Sequence, residues 1–208
     1  MTVKKQSIDR VRLLKYLIEA LDSARIGNIK DIDKISRVIQ DLGLRKTTSI
    51  DWDHVLQEVT YIYEIPKKDK EYTKVVKLDK LALFFTIFSF LGLIVIGVAT
   101  YLFKNIFLYN ISIIITLISV NLIYIIRFYT SMKINKIYLS HIDDLEEHGI
   151  ILKEAINTLL PRLRSELKKN NFSLDDFKLN LKLIDYKWIL VKKKLSFIRS
   201  GYEVVFRK

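Results

Sequence analysis

Two long apolar runs without charged residues follow one another in the middle of the chain. The first, residues 81–103, has 23 residues and the second, residues 106–126, has 21. A helix needs about 20 apolar residues to cross the hydrocarbon core of a bilayer. Core helices of soluble proteins usually keep a polar face, and neither run has one. We therefore predict a transmembrane hairpin over residues 81–127, with spans 81–103 and 106–127.

The residues before these runs are polar and helix-periodic. Apolar side chains recur at steps of three and four over residues 7–24, 31–42 and 50–63, which predicts three amphipathic helices. Residues that cap or stop helices flank them: Ser7 and Ser49 as N-caps, Gly43 after the second helix and Pro66 after the third. The pattern predicts an N-terminal helical domain over residues 1–66, joined to the membrane by a charged connector, residues 67–80.

The residues after the second run are predicted to form a second cytoplasmic domain, residues 128–208. No helix-breaking residue occurs between residue 127 and Gly149, so the second span should continue as a helix to that point. A further helix is expected over residues 150–169, with Pro161 as a kink or a new first turn.

The apolar residues of the C-terminal stretch fit two spacings, one typical of a helix and one typical of β-strands. Apolar residues spaced 4,3,4,3,4,3 predict a heptad-patterned helix over residues 174–199 that is able to form a coiled coil; they are Phe177, Leu181, Ile184, Trp188, Val191, Leu195 and Ile198. This helix would bury Trp188 at the middle of its seam. The competing pattern is the period-two alternation of residues 178–183, together with a strand over residues 202–206, which would give a short C-terminal β-hairpin. We favour the helix, and the predicted fold class is an all-α membrane protein.

The basic residues predict the orientation of the hairpin. Only Lys104 lies on the loop side, whereas nine basic residues flank the outer ends of the spans: Lys67, Lys68, Lys70, Lys74, Lys77, Lys80, Arg127, Lys133 and Lys136. Basic residues near span ends stay in the cytoplasm. We expect a multi-pass protein of the cell membrane with both termini cytoplasmic.

The amino-acid composition excludes several kinds of catalytic and binding site. The chain has 208 residues and no cysteine, which excludes a disulfide scaffold, a cysteine nucleophile and an iron–sulfur cluster. It has no glycine-rich phosphate loop, and the predicted spans carry no acidic residue or histidine for proton transfer. The net charge is +12, but the third predicted helix is acidic, unlike the recognition helix of a DNA-binding motif. We therefore expect that the chain is not an enzyme, that it binds no cofactor and that it has no nucleic-acid partner.

One cluster could ligate a metal. His141, Asp144 and His148 fall on one face of a helix, and these side chains are ligands for divalent metals. The alternative is a solvated acidic helix face beside the membrane.

Polar residues in the second run point to an interface. Asn110 and Asn121 are eleven residues apart, three helical turns, so their amides lie along one face. Ser112, Thr116 and Ser119 lie on roughly the opposite face. Such groups mark helix–helix contacts in lipid, and both faces cannot meet the first span.

The expected function is that of a membrane-anchored assembly or adaptor protein, which oligomerises or recruits a cytoplasmic partner. Self-association would use Asn110 and Asn121 and the heptad seam. The alternative is a homo-oligomeric pore or membrane-disrupting effector lined by the two asparagines. A selectivity filter of the kind known in two-pass channels has no room in the two-residue loop.

Overall fold

A computed structural model describes residues 2–29, 31–103, 106–195 and 201–207. Within these residues the chain is mostly helical and ends in a small sheet. The elements are α1 (Thr2–Ala24), α2 (Ile32–Asp41), α3 (Leu44–Thr47), α4 (Trp52–Lys68), α5 (Tyr72–Phe103), α6 (Ile106–Ser140), α7 (Ile142–Lys169), β1 (Leu179–Leu181), β2 (Ile189–Leu195) and β3 (Gly201–Phe206). They form two compact units. The first unit combines Met1–Ile65 with His141–Lys208, and the second is Pro66–Ser140.

The amphipathic helices predicted before the apolar runs are confirmed as α1, α2 and α4. The predicted N-cap Ser7 is wrong, because α1 begins at Thr2 and Ser7 lies inside it. Gly43, at a φ of 62°, takes the left-handed conformation that follows a helix end. The N-cap of α4 is Asp51 rather than the predicted Ser49. Its carboxylate accepts the backbone N–H groups of Asp53 at 3.0 Å and His54 at 3.1 Å, which have no partner inside the helix.

The predicted end of the third helix before Pro66 is wrong, because α4 continues through the proline to Lys68. Proline removes one N–H donor and crowds the preceding turn. In the last turn of a helix few later bonds depend on that geometry, so the helix ends soon after Pro66 rather than before it.

The second unit is a pair of long helices joined at residues 104–105. Both are long and apolar enough to cross a membrane: the qualifying segments are Tyr72–Val98 and Ile113–Ser140, and only 6% of each apolar window is buried. The helices extend beyond the apolar runs, since α5 includes most of the predicted connector. The 32 residues of α5 are about 48 Å long, more than the roughly 30 Å of hydrocarbon.

The helix predicted to run on to Gly149 is divided. α6 ends at Ser140 and α7 begins at Ile142, after the break at His141. Gly149 does not end a helix; it is buried inside α7, where the side chain of Arg25 lies 3.7 Å from the position a Cβ would take. A single glycine weakens a helix interior by only about 1 kcal/mol, so this packing against α1 outweighs its low propensity.

The heptad-patterned helix predicted for residues 174–199 is wrong. The described part of this segment enters an antiparallel sheet of order β1-β3-β2, in which Leu179 pairs with Val204 and Ile189 with Phe206. All four side chains are buried. The period-two alternation therefore prevailed over the heptad, because pairing with β3 buries alternate residues against the core. The two stretches of the alternative, residues 178–183 and 202–206, are confirmed as strands β1 and β3, which pair with each other. The third strand, β2, was not predicted, and it lies between them along the chain.

The core of the first unit lies where α1 packs on α7. The inward side chains of α1 and α7 are almost completely buried: Leu14, Leu17, Ile18, Leu21, Leu152, Ile156, Leu159, Leu160 and Leu163. These leucines and isoleucines recur at helical steps, as amphipathic helices require. Chain segments from before and after the membrane-length helices thus form a single core.

Candidate functional site

The feature that joins the two flanking segments is a line of four polar residues on α1 and directly after its end, which we call the α1 polar stripe: Lys15, Glu19, Asp22 and Arg25. Their spacing of four, three and three residues places them on one side of the helix. Each bonds to β1, to the residue before it or to the loop after it.

Asp22 is the buried centre of the stripe. Its carboxylate is fully buried and accepts hydrogen bonds from the backbone N–H groups of Lys182 and Leu183, the latter at 3.2 Å. The hydroxyl of Tyr186 donates a third bond at 2.6 Å. Burial raises the pKa of Asp22 above its ordinary value, although the three donors act in the opposite direction. The loop between β1 and β2 is therefore closed around a single carboxylate.

Arg25 forms the outer end of the stripe. Its guanidinium donates to both carboxylate oxygens of Asp185, at 2.7 and 2.8 Å, in a bidentate pair. Lys153 of α7 reaches the same carboxylate at 2.8 Å, and the guanidinium lies 5.1 Å from the ring centre of Tyr186. The hydrogen bond from Arg25 is the main cause that lowers the pKa of Asp185. Asp185 thus bridges α1 and α7.

The other end of the stripe holds β1 directly. Glu19 accepts the backbone N–H of Asn180 at 2.8 Å, and the ammonium of Lys15 donates to the carbonyl of Lys178 at 2.7 Å. Burial raises the pKa of Glu19. This site was not predicted from the sequence, because the groups that bond to the stripe, both backbone and side-chain, lie about 160 residues away along the chain. The local signal was the 4,3,3 spacing of polar residues beside the apolar face of an amphipathic helix.

The predicted metal ligands are only partly together. His141 Nδ1 lies 3.2 Å from Asp144 Oδ2. His148 instead contacts the carboxylate of Glu58 on α4, and its ring centre lies 3.9 Å from that of Tyr61. In the described part of the chain, no group of three such side chains is arranged to hold a metal ion.

Glu58 also contacts His54. The Nε2 atom of His54 lies 3.0 Å from Oε1 of Glu58, the carboxylate oxygen that His148 does not contact. One carboxylate thus lies between two imidazoles, and this contact joins α4 to α7 within the first unit. The pair His54 and Glu58 is visible in the sequence as an i,i+4 contact, whereas the partner His148 is not.

The polar groups of the apolar runs lie on different sides of the hairpin. Thr116 and Ser119 on α6 are half-buried, whereas Asn110 and Asn121 are exposed. Tyr124 is 70% exposed. The amide of Asn121 donates one bond to the carbonyl of Leu117 in its own helix, at 2.8 Å. The asparagine face of α6 is thus not covered by α5.

The helices of the hairpin also contact each other outside the apolar runs. The carboxylate of Glu71 accepts hydrogen bonds from the ammonium groups of Lys74 and Lys133, each at 3.0 Å. These hydrogen bonds lower the pKa of Glu71 to about 2, and the bond from Lys74 has the largest effect. The contact between Lys133 and Glu71 joins the start of α5 to the far end of α6.

The residues of the predicted heptad seam do not share a face. Leu181 is buried in β1, while Phe177 and Leu195 are half-buried. The other described members of the seam are exposed: Ile184, Trp188 and Val191. Ile198 lies outside the described residues. The expectation that Trp188 is buried is wrong; it is 47% exposed and has a φ of 73°.

Two small open grooves lie on the first unit. One, of about 150 Å³, lies between α1, α7 and the loop at Leu42, and is lined by Arg10, Arg162 and Lys169. The other, of about 220 Å³, is lined by Tyr16, Glu19 and Asn180. Both are smaller than the roughly 300–1,000 Å³ typical of small-molecule sites.

Comparisons with protein-family models, with curated proteins and with solved structures found no match for this chain.

Proposed function

We propose that this chain is a two-pass membrane protein that acts as a membrane-anchored assembly or adaptor protein. In this proposal α5 and α6 cross the cell membrane as a hairpin, and the first unit is the cytoplasmic part that recruits a partner or supports an oligomer. The exposed apolar surface of α5 and α6 supports membrane insertion, because soluble proteins rarely expose contiguous apolar patches larger than a few hundred Å².

The main observation in support of the proposal is that the first unit is built from two separate segments of the chain. Met1–Ile65 and His141–Lys208 fold together, joined by the α1 polar stripe and a common core. Two segments that share one core must lie on the same side of a membrane. The basic residues at the outer ends of the spans favour the cytoplasmic side. Both arguments support one arrangement, in which almost all of the chain outside the bilayer is cytoplasmic.

The first experiment tests this arrangement. Because the chain has no cysteine, single cysteines can be introduced at Thr2, Asn105 and Lys208 without a background. A membrane-impermeant thiol reagent applied to intact cells should label only the variant at Asn105, and disruption of the cells should expose the other two. Labelling of Thr2→Cys or Lys208→Cys in intact cells would contradict the proposal.

The second candidate function is a homo-oligomeric pore. The exposed Asn110 and Asn121 favour it, since amides have no hydrogen-bond partners in hydrocarbon and could face water in a ring of hairpins. Purified protein in liposomes with a trapped dye separates the two candidates. A pore releases the dye, whereas an assembly or adaptor protein retains it.

A further inference from the structure

The C-terminal sheet has an outward face that is both apolar and basic. Leu190 pairs with Val205 across the strands, on the side opposite the buried Ile189, Val204 and Phe206. Exposed solvent faces of antiparallel sheets are usually polar. Here Leu190 is 44% exposed, and Trp188, directly before the same strand, is exposed as well. We call the set Trp188, Leu190, Lys193, Val205 and Arg207 the β2 surface.

The backbone of Trp188 supports a functional role for this exposure. Its φ of 73° lies in the left-handed region, which bulky side chains rarely adopt. The residue is held there while its carbonyl accepts the N–H of Arg207 at 2.9 Å. Unfavourable backbone conformations are common at functional sites. A conformation of this kind that holds an indole in solvent indicates a residue that binds a partner rather than one that packs in the core.

Positive charge is concentrated in the stretch of sequence that carries these apolar side chains. Residues 186–208 contain seven basic residues and one acidic residue, a net charge of +6, half of the +12 of the whole chain. The three consecutive lysines Lys192, Lys193 and Lys194 are all exposed on the edge strand β2. The single acidic residue, Glu203, is already bonded to Lys178 at 3.2 Å.

We propose that the β2 surface docks onto an anionic lipid surface, with the indole of Trp188 at the level of the headgroups. Tryptophan favours the membrane–water interface, and each basic residue near an anionic bilayer contributes attraction. The proposal rests on the proposed function, because a hairpin in the bilayer keeps the first unit at a high effective concentration near the lipid. A free nucleic acid could also be attracted by basic and aromatic groups, but it would have no such tether.

The two tryptophans allow a direct test in the full chain. Trp52 is buried, and the apolar runs contain no tryptophan, so Trp188 is the residue that lipid can reach. The protein is reconstituted in nanodiscs of brominated phosphatidylcholine, with or without phosphatidylserine. Bromine quenches indoles that enter the bilayer. We expect strong quenching in discs with phosphatidylserine and little in phosphatidylcholine alone, and Trp188→Phe should remove the difference.

A matched pair of charge variants tests the electrostatic part. Lys193→Gln with Lys194→Gln removes two charges from β2, and we expect the docked-to-free ratio to fall about 30-fold, from a loss of about fivefold per lysine. Lys168→Gln with Lys169→Gln removes two exposed charges at the end of α7 and should leave the ratio unchanged. Equal losses in both variants would contradict a localised docking surface. The emission of Trp52 in a Trp188→Phe background verifies that each variant is folded.

The outcomes distinguish this inference from the proposed function. A chain that does not copurify with the discs refutes the membrane anchor and the docking surface together. A chain that copurifies, but whose Trp188 stays unquenched in discs with phosphatidylserine, refutes only the docking surface. If a single-stranded oligonucleotide alters the Trp188 emission while anionic lipid does not, the surface binds nucleic acid and the lipid proposal is wrong.

Discussion

Replacing Asp22 with alanine tests whether the α1 polar stripe holds the two flanking segments together. The substitution leaves three donors without their acceptor: the N–H groups of Lys182 and Leu183 and the hydroxyl of Tyr186. A buried donor left unpaired costs about 1–3 kcal/mol. Since Lys182 and Leu183 are only half-buried, water reaches them in part and the lower limit applies.

The sum is about 4 kcal/mol, with about 1 kcal/mol for each backbone N–H and about 2 kcal/mol for the hydroxyl of the buried Tyr186. Part of it is offset, because alanine removes the unfavourable burial of the carboxylate, the same burial that raises the pKa of Asp22. We expect a net loss of about 2 kcal/mol in the free energy of unfolding. Asp22→Asn keeps one acceptor oxygen and the shape of the side chain, and it should lose less than about 1 kcal/mol.

The assay is urea unfolding of the full chain in detergent, followed by the emission of buried Trp52 in a Trp188→Phe background. Asp9→Ala is the matched control, because it makes the same substitution at an exposed position of α1. The reasoning is refuted if Asp22→Ala and Asp9→Ala unfold at the same urea concentration. It is also refuted if Asp22→Asn loses as much stability as Asp22→Ala.

Two further predictions concern charge and assembly. Asp185→Asn should be less stable than the wild type above the ordinary aspartate pKa of about 3.9, and the difference should shrink as the pH falls from that value towards the lower pKa of folded Asp185. The wild type is the more stable protein because Arg25 and Lys153 lower the pKa of Asp185 in the folded state. Equal urea midpoints of wild type and variant at about pH 7 would contradict this prediction. Asn110→Leu with Asn121→Leu should shift the particle mass in nanodiscs from oligomer to monomer, since each interhelical amide bond contributes about 0.6 kcal/mol. Asn135→Leu, in the charged part of α6, is the control, and an unchanged mass for the double variant would reject asparagine-driven assembly.

The local features of the fold were readable from the sequence. The membrane-length helices follow from length and apolarity alone, because a run of more than 20 apolar residues has few other stable states. The periodic helices α1, α2 and α4 follow from their own amphipathic pattern. Their ends were less certain, since Asp51 and Ser49 both suit an N-cap and Pro66 can be accommodated in a last turn.

The C-terminal segment shows where local pattern stops being sufficient. The same apolar residues fit a heptad and, in part, a two-residue alternation. The choice depends on β3, which pairs with both β1 and β2, and on the stripe residue Asp22, which accepts the N–H groups of the loop between them. A helix would satisfy the same backbone groups internally, and only the tertiary partners favour the strands.

The sequence by itself determined that the chain carries two membrane-length helices between amphipathic flanks, since these are properties of residues close in the chain. Only the tertiary structure decided that the flanks form one unit around Asp22 and Arg25, that His148 contacts Glu58 and that Trp188 is exposed. The physical reason is separation along the chain. Hydrogen bonds and burial between residues 90 to 160 positions apart depend on how helices and strands pack, and no local period records that packing.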